Sequence, residues 1–352
     1  MLWLIERIAR RHELHVFALD HSPQPCSYPL LGATVHDLGR PTSPRGFRRR
    51  VQLSRLSSAL THLGQFDVLH AYWALPAGVV ATLAARRLGV PAIVTADSGE
   101  WVSIPDRQYG LQRRWVDRRG VAAAMRRATR VTVCTEHMAR LAARHAVCAE
   151  VIPLGVPRPG AAAALRVDPP PWRLLHVASI NRVKDHDTLL RAFGHVARRL
   201  PQVHLDVVGE DTLGGSAQRL AARIGLQSRV TFHGFQPNDA LSAFYERAHL
   251  HVISSRHEAA GVVVLEAAAA GVATVGTRVG YVDDWSAADP PRAAAVPPGD
   301  AAALADAVVA LLLSPARRES LAAAAREWTL AHDADWTAAQ FDHLYRDVAR
   351  SG

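Results

Sequence analysis

Two doubly wound, Rossmann-like α/β domains facing a cleft are predicted for this chain, and three observations predict them. Strand-like and helix-like segments alternate along the sequence in two separate series. A stretch rich in Pro and Ala, without periodicity, parts the two series. The length, 352 residues with 49% hydrophobic content, suits two cores better than one. Such alternation implies parallel sheets covered by helices on both faces, with the loops at strand carboxyl ends free to line a crevice. The expected division is a first domain over 1–155, a linker over 156–172, a second domain over 173–330, and a last helix over 331–352 that returns to the first domain.

The first series opens with an amphipathic helix over 1–11. It is not a signal peptide, because Glu6 and Arg7 interrupt its apolar run. Strands are expected over 15–19, 34–38, 67–71, 92–96, 130–134 and 150–153, with a helix over 77–88 closed by Gly89 and Pro91. In the second series strands are expected over 174–178, 203–208, 230–233, 250–253, 272–276 and 293–296. A helix over 188–200 places Leu189, Phe193, Val196 and Leu200 on one face. The last helix carries Phe341, Leu344, Tyr345 and Val348 at helical spacing. Domains of this kind ordinarily open with a strand and a glycine-rich turn, whereas here a helix comes first. The first domain is therefore read as lacking its opening strand. The expectation is that an apolar strand and glycines precede Met1, and that the chain without them is poorly soluble or inactive.

The net charge is +9, and of 41 basic residues only Lys184 is a lysine. Arginine has replaced lysine nearly everywhere, so the remaining ammonium is either a chance survivor or a place where a compact point charge is needed. Arginine clusters at 48–50, 113–114, 118–119 and 126–130 suit solvated faces or peripheral contact with an anionic membrane. Aromatics amount to 6%, and none interleave with these clusters as a stacking platform would, which argues against nucleic acid. Cys26, Cys134 and Cys148 have neither metal nor redox spacing and fit a reducing, cytoplasmic setting. No apolar run reaches the length of a membrane span.

The most informative stretch runs from Ser254 to Gly271. Glu258 falls in a loop at the carboxyl end of a strand, Gly261 opens a helix, and Glu266 lies in that helix's second turn. The N–H groups at the helix start, at Val262 and Val263, suit a phosphate, and the two carboxylates suit sugar hydroxyls. Two solvated glutamates on a buried strand–helix unit are the alternative. Arg182 and Lys184 follow the first strand of the second series, where cations neutralise a diphosphate leaving group or are simply solvated. Asp185-His186-Asp187 imitates a metal-binding spacing, but its place at a helix start suits capping better. Gly209 ends one strand, where it allows either close ligand approach or a plain turn. His233 and Gly234 end another, and their backbone groups could line a base pocket. Asp97-Ser98-Gly99-Glu100-Trp101 is either an acceptor-side loop or a capping turn. No zinc, P-loop or dinucleotide fingerprint is present.

Five features in register resemble the retaining glycosyltransferases of family 4, which have the two-domain GT-B fold. They are Lys184-Asp185-His186, Val208-Gly209-Glu210, Val230-Thr231-Phe232-His233-Gly234, Glu258-x7-Glu266-Ala267-x3-Gly271 and Val296-Pro297-Pro298-Gly299-Asp300. The resemblance covers nearly the whole chain. It implies that Glu258 lies near the donor sugar, that Glu266 holds ribose hydroxyls, that the backbone of 261–263 touches sugar and phosphate, and that Lys184 contacts the diphosphate. It implies no metal or other cofactor. The family's arginine five positions before the lysine is Ser179 here, with Arg182 as a substitute, and its usual histidine stands as Asp97.

The function expected is transfer of a hexose-type sugar, with retention, from a UDP- or GDP-linked donor to a hydroxyl of a glycan, a lipid-linked glycan or a small molecule. The catalytic candidates are Glu258, Lys184 and Asp97. Glu266, Gly261, Val262, Val263, Arg182, Ser179, Gly209, His233 and Gly234 are the donor-binding candidates. The expected location is cytoplasmic, at or near the inner face of a membrane, with no nucleic acid partner. A non-catalytic nucleotide-sugar-binding protein and a nucleotide-sugar epimerase are the other classes consistent with the motifs.

Overall fold

The structure is a computed structural model and describes residues 2–44, 47–158 and 170–351. The chain forms two compact units. The first comprises Met1–Ser103, Tyr109–Pro157 and Ala334–Gly352, and the second comprises Ile104–Gln108 and Arg158–Asp333. The segment Ile104–Gln108 thus departs from the sequence expectation: it comes from the first half of the chain yet belongs to the second unit. Most of the expected linker, 159–169, lies outside the described residues.

In the first unit, helix α1 (Leu2–Ala9) leads to strands β1 (His15–Ala18), β2 (Cys26–Leu30) and β3 (Ala33–Asp37). Helix α2 (Arg48–Leu63), strand β4 (Leu69–Tyr72), helix α3 (Val79–Leu88) and strand β5 (Ala92–Thr95) follow. Then come α4 (Trp115–Arg127), β6 (Arg130–Val133), α5 (Glu136–Ala143) and β7 (Glu150–Val151). The strands fall into two sheets, β1-β3-β2 and β4-β5-β6-β7, and among the described residues no strand joins β1 to β4. The sequence reading missed β2. It is exposed along most of its length, contains Pro29, and lacks the apolar alternation that marks a half-buried strand. It runs antiparallel to β3, with Tyr28 opposite Val35.

Helices α2 and α3 bury Leu56, Leu60, Val80 and Ala84 together with Leu69 of β4 and Ala92 of β5. Helix α1 turns Leu4 and Ile8 onto a cluster with Ile93, Ile152, Phe341, Leu344 and Val348. The last three belong to the final helix, and its Tyr345 hydroxyl meets His70 Nδ1 at 2.7 Å. Helix α3 stops at Gly89, whose φ of 71° is the left-handed cap geometry that glycine adopts without steric cost.

The second unit is built on one six-stranded parallel sheet, in the order β10-β9-β8-β11-β12-β13. Its strands are β8 (Trp172–Val177), β9 (Val203–Val208), β10 (Val230–Phe232), β11 (Leu250–Ile253), β12 (Thr274–Thr277) and β13 (Ala293–Val296). The helices are α6 (His186–Arg199), α7 (Ser216–Arg223), α8 (Asn238–Arg247), α9 (Val262–Ala269), α10 (Gly280–Ser286), α11 (Ala301–Leu312) and α12 (Pro315–Ala331). Helix α13 (Ala334–Ser351) belongs to the first unit. One face of the sheet carries α6, α7 and α11, which pack Leu190, Phe193, Val196, Leu220, Leu304 and Val308 against Leu174, Leu205 and Leu250. The other carries α8 and α9, through Leu241, Tyr245 and Ala267 against Leu175 and Val177. Side chains of this size contribute roughly 1.5–3 kcal/mol each on full burial. With both faces covered, the exposed working surface of the sheet is the edge where its strands end.

Candidate active site

The strand order of the second unit reverses at β8. Strands β9 and β10 lie on one side of it, and β11 to β13 on the other. Loops leaving β8 and β11 at their carboxyl ends therefore diverge and leave a crevice, the usual ligand position in an open parallel sheet. These are the loops that hold Lys184 and Glu258.

After β8 the Asn181 side chain accepts hydrogen bonds from the N–H groups of Val183 (3.1 Å) and Lys184 (3.2 Å), winding Arg182–Lys184 into a single 3-10 turn. The two loops are laced together. Ser254 Oγ donates to the Lys184 carbonyl at 2.8 Å, and Arg256 N–H donates to the Val183 carbonyl at 2.8 Å. Across this lacing, Lys184 Nζ lies 2.5 Å from Glu258 Oε1, and Ser255 Oγ donates to the same oxygen at 2.6 Å. The glutamate side chain is 12% exposed and the lysine 23%, so the pair is partly desolvated and held at the mouth of the crevice.

The loop after β11 ends at Gly261, with φ 76°. A Cβ there would meet nothing closer than 3.5 Å, so the backbone angle rather than space selects glycine. The Glu258 Cγ would lie 3.7 Å from that Cβ, which sets the carboxylate against the start of α9. Val262 and Val263 begin the helix, where N–H groups have no acceptor within the helix and the dipole favours an anion. One turn further, Glu266 Oε2 accepts a hydrogen bond from the Tyr245 hydroxyl at 2.9 Å. Burial raises the pKa of Glu266, and the bond from Tyr245 opposes that rise.

The neighbouring strand ends close the floor. Gly209 has φ 149°, and a Cβ on it would stand 2.0 Å from the Ala178 carbonyl oxygen. This close approach lets Ile180 N–H donate to Glu210 O at 2.7 Å and Gly209 N–H donate to Gly234 O at 2.9 Å. Ser179 and Arg182 are exposed on the same rim. The expectation of a base pocket at His233 meets a difficulty. Its N–H donates to Val207 O, its carbonyl accepts from Gln236 Nε2, and its ring nitrogen lies 2.7 Å from Asp206 Oδ1. These groups already have partners inside the unit.

Asp185 also differs from its expectation. It occupies the N-cap of α6 in the left-handed conformation, φ 52°, but its carboxylate does not cap the helix. Instead it receives Thr188 Oγ1 at 2.9 Å and faces Arg107 Nη2 at 2.9 Å and Arg256 Nη1 at 3.6 Å. His186 is buried and packs edge-on to His176, with ring centroids 4.8 Å apart, while Asp187 is exposed. The three side chains do not converge, and among the described residues no group of three or more His, Cys, Asp or Glu side chains is placed to hold a metal.

Asp97 belongs to the first unit, where Cys134 N–H donates to its Oδ1 at 2.8 Å. Burial pushes its pKa up to about 7, against the opposing hydrogen bonds from Cys134, and nearby Glu100 adds to the rise. Glu100, fully buried, accepts from Ala74 N–H at 3.2 Å and Ser98 N–H at 2.8 Å. For Glu100 the capping reading therefore describes the geometry. Sequence reasoning had no means of finding Arg107, whose partner is remote in the chain. Ser255 and Arg256 lay inside the stretch already singled out, whereas nothing in the local sequence marked Tyr245.

Comparison with known proteins gives the family and the fold. Residues 161–328 match the family model for glycosyl transferases group 1, and residues 1–155 match that for a glycosyl transferase 4-like domain. The chain is 31% identical over 281 residues to the D-inositol 3-phosphate glycosyltransferase of Mycolicibacterium gilvum, covering 72% of this chain and 59% of that protein. It is 28% identical over 289 residues to the GDP-mannose-dependent alpha-(1-6)-phosphatidylinositol monomannoside mannosyltransferase of Mycolicibacterium smegmatis, covering 76% and 73%. The matches span 59% and 65% of the D-inositol 3-phosphate glycosyltransferases of M. gilvum and Segniliparus rotundus. Among solved structures, sucrose-phosphate synthase from Thermosynechococcus elongatus superposes with a TM-score of 0.80 at 22% identity, over 99% of this chain and 92% of that one. Anabaena Alr3699/HepE in complex with UDP and glucose gives 0.75 at 16% identity, over 97% and 95%. The two family models lie end to end along the chain, and the fold they describe is the one its strands build, so this protein belongs to the group 1 glycosyl transferases of GT-B fold.

Proposed function

We propose that this chain transfers a hexose-type sugar, with retention of anomeric configuration, from a UDP- or GDP-linked donor to an acceptor hydroxyl. The observation that carries the reading is the meeting of Lys184 and Glu258 at the strand-order reversal, beside the start of α9. A diphosphate placed there draws the ammonium away from the carboxylate and lies against the helix N-terminus, so departing negative charge is stabilised by fixed groups. Arg182, on the exposed rim with Ser179, supplies further positive charge. Glu258, released from the lysine, orients the sugar through its hydroxyls. Glu266, in the second turn of α9 and hydrogen-bonded by the Tyr245 hydroxyl, takes the ribose hydroxyls. Asp97 is assigned to the acceptor side. No metal or other cofactor enters this scheme.

The acceptor class is a glycan, a lipid-linked glycan or a small polyol, and the names of the inositol and phosphatidylinositol relatives support that range. The proposed setting is the cytoplasm, with peripheral contact at the inner face of an anionic membrane. In support, exposed Trp115 and Phe47 lie under Arg119 (4.8 Å) and Arg50 (5.6 Å), a pairing suited to a lipid headgroup layer. No helix among the described residues is long and apolar enough to cross a membrane.

The test is turnover of UDP- and GDP-hexoses with inositol phosphates and lipid-linked acceptors, followed by assignment of the product anomer. Transfer with retention supports the reading. Donor conversion without any acceptor points to an epimerase, and tight donor binding with no turnover points to a binding protein; either outcome overturns it.

A further inference from the structure

We propose that Arg107 is a positioning residue for the Lys184 loop: from a remote segment of the chain it neutralises and holds the buried carboxylate of Asp185, and so keeps the neighbouring ammonium available to an anionic donor. The proposal deepens the functional reading above and rests on it.

The Asp185 side chain is wholly buried, and its backbone is left-handed, a conformation that costs any residue with a Cβ. A left-handed aspartate persists only where its surroundings hold it, and here three groups do. Thr188 Oγ1 donates to Oδ2 at 2.9 Å, Arg256 Nη1 lies 3.6 Å from Oδ2, and Arg107 Nη2 lies 2.9 Å from Oδ1. The Arg107 contact is a charge pair without hydrogen-bond alignment, since neither Asp185 Oδ1 nor Arg107 Nε has an aligned partner. Asp106 extends the alternation of charge, 3.2 Å from Arg107 Nε and 3.7 Å from Arg256 Nη1.

The segment that brings Arg107 is short. Pro105–Arg107 forms one 3-10 turn closed by Gln108 at φ 54°, and the whole of Ile104–Gln108 packs with the second unit although it leaves and re-enters the first. Its position is therefore tied to the donor loop rather than to the chain on either side of it. Asp185 follows Lys184 directly. Stripped of Arg107, its buried negative charge would compete with a diphosphate for the same ammonium and repel the diphosphate across a poorly screened path. Arg256 alone, at the longer distance and shared with Asp106, leaves that charge only partly met.

The experiment uses the full chain, with UDP and GDP as probes, dissociation constants from calorimetry, and amide hydrogen exchange across 181–187. Lys184→Ala checks the underlying reading and should weaken the tighter-binding probe about ten-fold or more. Arg107→Gln should then weaken the same probe about five- to ten-fold and speed exchange at Val183 and Lys184, whereas Arg107→Lys, which keeps the charge, should lose about three-fold or less. In an Asp185→Asn background Arg107→Gln should cost less than about two-fold, because the charge it compensates is gone. Equal losses in both backgrounds would mean that Arg107 acts independently of Asp185, and would overturn the proposal. So would unchanged exchange and affinity in Arg107→Gln. If Lys184→Ala binds as the parent does, the donor-site reading fails by itself, and the exchange data still decide whether Arg107 holds the loop. Should Asp185→Asn fail to fold, the comparison of Arg107→Gln with Arg107→Lys in exchange and affinity decides the matter.

Discussion

Lys184 and Glu258 pair at 2.5 Å, and under the proposed mechanism a donor has to separate them before either acts on it. Glu258→Gln should consequently abolish nearly all transfer while leaving nucleoside diphosphate affinity within a few-fold of the parent or slightly tighter, since the freed ammonium no longer has a competitor. Initial rates and calorimetry check this, and near-parental turnover would remove Glu258 from the mechanism. Lys184→Arg should lower kcat/KM at least ten-fold, about 1.4 kcal/mol, because a planar guanidinium cannot occupy the point that Nζ holds against the Glu258 carboxylate. Parental kinetics would make the single lysine a chance survivor. At this scale the sequence was informative where a residue type was unusual: a lone lysine among arginines, and two glutamates around a glycine. It was silent on Arg107, because one arginine of forty carries no signal until the fold brings it to Asp185.

The elements that position these side chains were legible as far as their burial imposes a pattern. The strands of the second unit are mostly apolar because both faces of the sheet are covered, and α6 shows its stripe because only one face is buried. β2, exposed and proline-bearing, imposes no such pattern, and the split of the first unit's strands into two sheets depends on pairings that no local run encodes. The two glycines at the crevice make different demands, and substitution should tell them apart. Gly261→Ala meets the left-handed angle with only ordinary van der Waals contacts around its methyl group, so a loss of roughly 1 kcal/mol is expected, with the fold retained. Gly209→Ala would put a methyl group 2.0 Å from a backbone carbonyl that cannot withdraw without breaking the Ile180 to Glu210 bond. It should cost several-fold more in thermal stability and weaken donor binding through the displaced 178–182 loop. Equal melting temperatures for the two variants would mean that the strand ends are not held as close as they stand here.

At the scale of the second unit, three histidines, His176, His186 and His251, lie buried around the β8–β11 pair and are held neutral. Burial pushes His176 down to about 4 and His251 to about 3, and His186 also lies far below the usual range. The sign follows from where each state takes up its proton. Above the ordinary value of about 6.5 both folded and unfolded chains carry neutral rings, and the stabilising contribution is complete. As pH falls through 6.5 the unfolded chain binds protons that the folded unit refuses, so stability drops by up to about 1.4 kcal/mol per pH unit for each histidine until the folded values near 4 and 3 are reached. Glu266 acts in the opposite direction, because its raised pKa lets the folded unit take a proton first as the medium turns acidic. Asp211, held below its usual range by the Leu213 and Gly215 N–H groups, contributes only at still lower pH, below about 4. Between pH 6.5 and 5 the histidines dominate, and unfolding free energy should fall steeply while secondary structure at pH 7 is unaffected. Because two units need not unfold together, the decisive quantity is a difference. His251→Gln should flatten the pH slope of stability by about one proton, or roughly 1.4 kcal/mol per pH unit, when urea unfolding is followed from pH 7.5 to 5. A slope identical to the parent's would mean that His251 already exchanges its proton with solvent in the folded state, and that the core beneath the Lys184 loop is wet rather than packed.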